Sequence, residues 1–156
     1  MYDLIEKHID KPDGIECRYF MPDSKISKEI DILILRVDGI YPDGSLGNSH
    51  AAYISIMAVQ GLQAFNPEAF VLDLRNLEYR WGNSLLGVLQ NVSRLMDSGK
   101  EDNEPYFPIF VTTSDKSAGF VSLVTPSSGK VPEWHFKDID EAINKAIDAG
   151  KEWIEF

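Results

Sequence analysis

The sequence predicts a single α/β domain with a mostly parallel sheet of about four strands joined by crossover helices. Three observations carry this. Short apolar runs at Ile30 to Val37, Phe70 to Leu74 and Tyr106 to Thr112 read as strands, the first with the composition of a central strand covered on both faces. Stretches of helical length between them repeat their apolar residues with a 3.6-residue period. Turn-forming clusters separate the two, giving the order β-β-α-β-α-β-α-α, in which strands feed helices. At 156 residues, 44% apolar and 26% charged, the chain is of a size to bury one core.

Residues 1–13 read as a polar lead-in with at most one helical turn, ended by Lys11-Pro12-Asp13-Gly14. Ile15 to Phe20 alternates as a strand does, and Met21-Pro22-Asp23-Ser24 stops it. It is expected to pair with Ile30 to Val37 as a hairpin. The loop Asp38 to Ser49 holds Gly39, Gly44, Gly47 and Pro42. It lacks both a Gly-Lys-Ser/Thr ending and Gly-x-Gly-x-x-Gly spacing, so the signal of a phosphate loop is absent. Ser49 is the expected N-cap of a helix that presents Ala51, Ile54, Met57, Ala58, Leu62 and Phe65 and stops at Asn66-Pro67. That helix is the right-handed crossover to the strand Phe70 to Leu74. The next helix starts near Ser84, shows Leu85, Val88, Leu89, Val92, Leu95 and Met96, and ends at Gly99. Tyr106 to Thr112 follows, where Pro108 points to an edge strand or an early strand position. A short helix spans Ala118 to Val124, and a loop spans Thr125 to Pro132. Asp138, with Glu141 three residues on, opens a last helix whose face is Ile139, Ala142, Ile143, Ala146 and Ile147. Gly150 is expected to end it, with the tail Lys151 to Phe156 packing back on the domain.

The net charge of −10 and pI near 4.7 argue against nucleic acid, which requires a basic footprint, and against anionic membrane surfaces. The same charge favours capture of a basic partner. No apolar run approaches the roughly 20 residues of a membrane span. The first residues lack the pattern of a signal peptide. The lone Cys17 permits no intrachain disulfide and reads as a small half-buried apolar residue, so cytoplasmic residence is expected. His8, His50 and His135 share no metal-ligand spacing, so neither a metal nor a cofactor is expected.

The turn Arg80-Trp81-Gly82-Asn83-Ser84 is the first candidate for function. It stands between a strand and a helix N-terminus, where free backbone N–H groups and the positive dipole end gather. Tyr79, Arg80 and Trp81 are of the residue types enriched in binding hot spots, so Tyr79, Arg80, Trp81, Asn83 and Ser84 form the expected partner-binding set. Asp73, closing an apolar strand, reads either as a carboxyl with a raised pKa or as the ion-pair partner of Arg75 or Arg80.

Three stretches carry a resemblance. They are Val71-Leu72-Asp73-Leu74 with Leu77 and Tyr79, Ser84-Leu85-Leu86-Gly87-Val88-Leu89, and Phe136-Lys137-Asp138-Ile139-Asp140-Glu141-Ala142. Through them, residues 30–150 resemble the STAS family, the fold of bacterial anti-sigma-factor antagonists, with residues 1–29 as an extension holding one strand. The resemblance implies a partner-switching protein that docks to a regulatory kinase and accepts phosphate on a serine, here Ser84. Gly82 and Asn83 stand where the family motif has an acidic residue, and Leu85 where it has a glycine. Ser84 also reads simply as the N-cap of its helix.

A second resemblance runs through Val71-Leu72-Asp73-Leu74-Arg75-Asn76 and Thr113-Ser114-Asp115-Lys116-Ser117-Ala118. These are similar to the strand end and nucleophile turn of the crotonase and Clp-protease superfamily. It implies Ser117 as a nucleophile with His135 or Lys116 as its base.

The expected function is therefore a non-catalytic, acidic protein-binding domain. It would be either a STAS-like regulator or an immunity or antitoxin protein that neutralises a basic toxin. The alternative is a small serine hydrolase using Ser117, which requires a histidine nitrogen or lysine amine within about 3 Å of its hydroxyl.

Overall fold

The computed structural model describes residues 1–23 and 29–155. Ser24, placed by sequence in the stop after the first strand, and Phe156 lie outside the described residues. The described elements are β1 (Ile15–Phe20), β2 (Ile32–Ile40), α1 (Asn48–Phe65), β3 (Ala69–Asp73), β4 (Leu77–Glu78), α2 (Leu86–Met96), β5 (Ile109–Thr112), α3 (Ala118–Val124), β6 (His135–Phe136) and α4 (Ile139–Glu155). They form one α/β domain. The sheet runs β1-β2-β3-β5-β6, and β4 pairs with β2 beyond the end of β3. β1 is antiparallel to β2, from Ile15↔Gly39 to Phe20↔Ile34, and the other pairings are parallel.

The period of two in β2 sorts the core into two layers. Leu33, Leu35 and Val37 face one way, into a cluster with Ala51, Ile54 and Leu62 of α1, Val88 and Val92 of α2, and Phe120 of α3. Ile32 and Ile34 face the other way, against Ala142, Ala146 and Ile147 of α4. Each of the Val, Leu, Ile and Phe side chains among these stabilises the fold by about 1.5–3 kcal/mol when fully buried.

Several expectations need correction. Residues 1–12 form no helical turn. α1 starts at Asn48 behind Gly47, so Ser49 lies inside its first turn and is not the cap. The ring of Tyr41 closes over Gly47, filling the place of a side chain there, and this fixes the start of the helix. α1 does end where expected, on Asn66 in the left-handed region with its N–H on the Leu62 carbonyl. Of the two positions that Pro108 allows, the early one holds: β5 lies between β3 and β6, Pro108 directly precedes it, and the Pro108 carbonyl accepts from the Phe70 N–H at 3.0 Å. Gly150 does not end α4. It is buried at the point where the helix crosses Ile30 and Glu68, where a side chain would crowd the Ile30 methyl at 2.9 Å. Residues 151–155 are therefore the last turn of α4, with Trp153 set edge-on to Phe107 at 5.2 Å.

Candidate protein-docking site

Three segments leave the carboxyl ends of the parallel strands together, the usual place for a site in an open α/β sheet. They are 41–47 after β2, 74–84 around β4, and 113–117 after β5. At their root lies Asp73, which is 1% exposed. Its carboxylate accepts from Arg75 Nε and Nη2, both at 2.9 Å, from Thr112 Oγ1 at 2.8 Å and from Arg36 Nε at 3.3 Å. Burial alone would raise its pKa. The hydrogen bonds from Arg75 and Thr112 outweigh that and hold the carboxyl below the usual carboxylate range. Of the two readings, the ion pair is the one formed, and its partners are Arg75 and Arg36. Arg80 instead pairs with Asp43, on the loop after β2.

Alternation along Leu77-Glu78-Tyr79-Arg80 decides which residues of the turn reach the surface. Leu77 and Tyr79 point inward; Glu78 and Arg80 point outward. Tyr79 is only 1% exposed, so it is a core residue and not part of a binding surface. Its ring packs 5.0 Å from Tyr41 and 6.3 Å from Phe120, its hydroxyl donates to the Gly82 carbonyl, and burial pushes its pKa up to about 12. Trp81 is 62% exposed and lies across Gly44, where the indole occupies the place of a side chain. The Gly44 N–H donates to the Trp81 carbonyl at 3.2 Å. Gly44 and Gly82 both hold positive φ, 58° and 128°, which favours glycine at both positions.

Ser84 does not cap α2. The chain turns on backbone bonds from Leu86 N–H to the Asn83 carbonyl and from Gly87 N–H to the Ser84 carbonyl, and no side chain caps the helix. The Ser84 hydroxyl instead shares a 2.6 Å hydrogen bond with the Tyr41 hydroxyl. Ser84 remains half-buried and Asn83 exposed.

The second serine turn is built differently. Ser117 is fully buried and closes a capping box with Ser114: the Ser114 N–H donates to Ser117 Oγ at 3.0 Å. Ser114 Oγ reaches the Arg75 carbonyl, and the Tyr79 N–H reaches the Lys116 carbonyl at 2.9 Å, stitching the two turns together. His135 shares its hydrogen bond with Thr113 Oγ1 at 2.6 Å, and burial, helped by the Lys137 charge, lowers its pKa. The side chain of Lys116 is exposed. Ser117, His135 and Lys116 are thus not assembled, and the expected hydrolase geometry fails because the serine hydroxyl caps its own turn.

Among the described residues no group of three His, Cys, Asp or Glu could hold a metal ion. His50 Nε2 meets the Asp13 carbonyl at 2.9 Å, and His8 meets Glu6 at 2.8 Å. Among them, too, no helix is long and apolar enough to cross a membrane. Sequence reasoning missed Tyr41 and Asp43, the partners of Ser84 and Arg80. Their only sequence signal is their place directly after a strand, in a loop noted for its glycines.

No protein-family model and no curated protein matches the sequence. Among solved structures, the chain is similar to an anti-sigma factor antagonist from Mycobacterium paratuberculosis, with a TM-score of 0.50 and 17% identity over 86% of this chain and 96% of that one. The fold is STAS-like. The strand and helix order that carries the likeness also brings the Ser84 turn to the end of the sheet, beside the loop after β2.

Proposed function

We propose that this chain is a non-catalytic regulator that holds a protein partner on the turn after β4. The observation that carries the reading is Trp81, a large aromatic left mostly in water yet fixed in position by Gly44 below it. Arg80 and Asn83 flank it in the open, and Ile40 and Leu46, both exposed, lie at the same end of the sheet. Exposed Trp and Arg with an apolar surround and a rigid base have the make-up of a binding hot spot. The structural neighbour is an anti-sigma factor antagonist, a protein that acts on another protein, which supports a regulatory partner, an anti-sigma-factor kinase in the STAS-type version. In that version Ser84 is the switch: a phosphate there would displace the Tyr41 hydroxyl and put about two negative charges beside Trp81. The net charge of −10 favours a basic partner, and a basic toxin is the other version of the same binding reading.

The test is capture of partners from the source cell by the wild type and by Trp81→Ala. A stoichiometric partner that is lost with Trp81→Ala supports the site. Sensitivity of that partner to Ser84→Asp supports the switch. A partner held equally by both proteins places its interface elsewhere and removes the turn from consideration.

A further inference from the structure

The two edges of the sheet are finished differently. β1 presents Glu16 and Arg18 to solvent, and Phe20 beside them lies under the guanidinium of Arg36 at 4.3 Å. Such charges discourage a second strand from pairing. The opposite edge is blunted by brevity instead, and its short strand covers only part of β5. β6 is two residues long and pairs only with Val111 and Thr112; just before it the Trp134 carbonyl accepts from the Val111 N–H at 3.0 Å, so Ile109 is the residue of β5 left without a strand neighbour on that side. The fold already shows how such a gap is filled: β4 continues the line of β3 along β2.

Hollows lie on both sides of this short edge. Toward α4 is a groove of about 940 Å³, with Phe110 and Phe136 in its lining and Glu133, Asp148 and Glu152 against the single cation Lys145. Toward α2 is a smaller cleft of about 270 Å³, lined in part by Leu89, Phe107 and Trp134. Ile109 borders both. Tyr106, at the mouth of both, already carries a cation: Lys100 Nζ stands 4.3 Å over its ring. Successive side chains of an added strand point to opposite faces. A strand laid here would therefore put every second side chain among aromatic rings and carboxylates, and the others in the apolar cleft.

We propose that this edge binds an extended segment of a partner protein in which basic and apolar residues alternate. The segment would continue the line of β6 along Ile109, with its basic side chains toward Asp148 and Glu152 and its apolar ones toward Leu89 and Trp134. The site lies at the amino end of β5, away from the turn at 79–84, and stands independently of the function proposed for that turn.

The experiment titrates the 15N-labelled full chain with the capped hexapeptide Lys-Val-Lys-Leu-Lys-Val and follows backbone amide shifts. The expected result is saturable shifts within 106–110, 133–136 and 145–152. Binding should weaken by about 10-fold in the double variant Asp148→Lys/Glu152→Lys, since two rim attractions become repulsions. Both residues are exposed, so the variant keeps its fold, as an unchanged melting temperature would verify. A peptide N-methylated at alternate amides should not bind, because strand addition needs its backbone donors. The proposal is overturned by equal binding of Glu-Val-Glu-Leu-Glu-Val, by full binding of the N-methylated peptide, or by shifts confined to 79–84. No shifts at millimolar peptide also overturn it. Concentration-dependent shifts at 106–110 without peptide would assign the edge to a second copy of the chain.

Discussion

Ser84 and Ser117 occupy equivalent places, each on a turn between a strand end and a helix, yet the fold treats them as opposites. Ser117 is sealed, and its hydroxyl completes a local capping box with Ser114, three residues away. Ser84 is half-open, and its hydroxyl is held by Tyr41, 43 residues away in sequence. A local partner ties a serine to its own turn. A distant one ties the turn to a neighbouring loop and leaves the serine near the surface. The two corners are also joined: α3 presses Gly119 against the Arg80 carbonyl, where any side chain would collide with backbone. The sealed corner is thus the base on which the open one is set.

Perturbations at the Asp73 root and at the Gly119 contact should exceed those at either serine. The largest is expected from Asp73→Ala, which strands the Arg75 and Arg36 guanidiniums and the Thr112 hydroxyl. Removing one member of a buried pair costs about 3–5 kcal/mol, and partial exposure of both arginines reduces this to about 2–4 kcal/mol, read by urea unfolding. Because the folded carboxyl titrates below its usual range, its contribution is complete above about pH 4 and fades as pH falls through the folded pKa. The wild type and Asp73→Asn should therefore converge in stability in strong acid; a gap that stays constant down to pH 2 would count against the ion pair.

Next comes Gly119→Ala, which should cost about 1–3 kcal/mol by forcing α3 away from Arg80. It should also weaken partner capture through Trp81, although it touches no exposed residue of the turn. Ser117→Ala should cost about 1–2 kcal/mol, since it leaves the buried-side Ser114 N–H without its acceptor, and should leave partner capture unchanged. The smallest effect belongs to Ser84→Ala, about 0.5–1 kcal/mol, with Tyr41→Phe similar and the pair non-additive in a double-mutant cycle. A larger loss from Ser84→Ala than from Ser117→Ala would reverse the contrast drawn between the corners.

How much of this could be read from the sequence depends on the range of each interaction. β1, β2, α1 and the crossover to β3 were legible because period-2 and period-3.6 patterns are local and sustained. β4 and β6 were not, since two residues carry no period. Gly150 was misread because a glycine that admits a neighbouring Ile30 looks, in sequence, like one that stops a helix. At the site, Trp81, Arg80 and Asn83 are exposed, as residues that meet a partner must be. The inward direction of Tyr79 was available from its alternation with Leu77, and it was outweighed by the type of residue it is. The Tyr41–Ser84 bond and the pairing of Arg80 with Asp43 join segments that only the folded sheet brings together, so no local pattern announces them.

Cys17, on β1, is half-buried, and burial pushes its thiol up to about 12. At pH 7 the thiol is therefore protonated, and the thiolate is the reactive form. Cys17 should thus react with a maleimide much more slowly than an exposed cysteine does. A single Asn83→Cys or Glu152→Cys substitution would take a maleimide dye preferentially, so the Trp81 turn and the β6 edge can each be fitted with a reporter without first replacing the native cysteine.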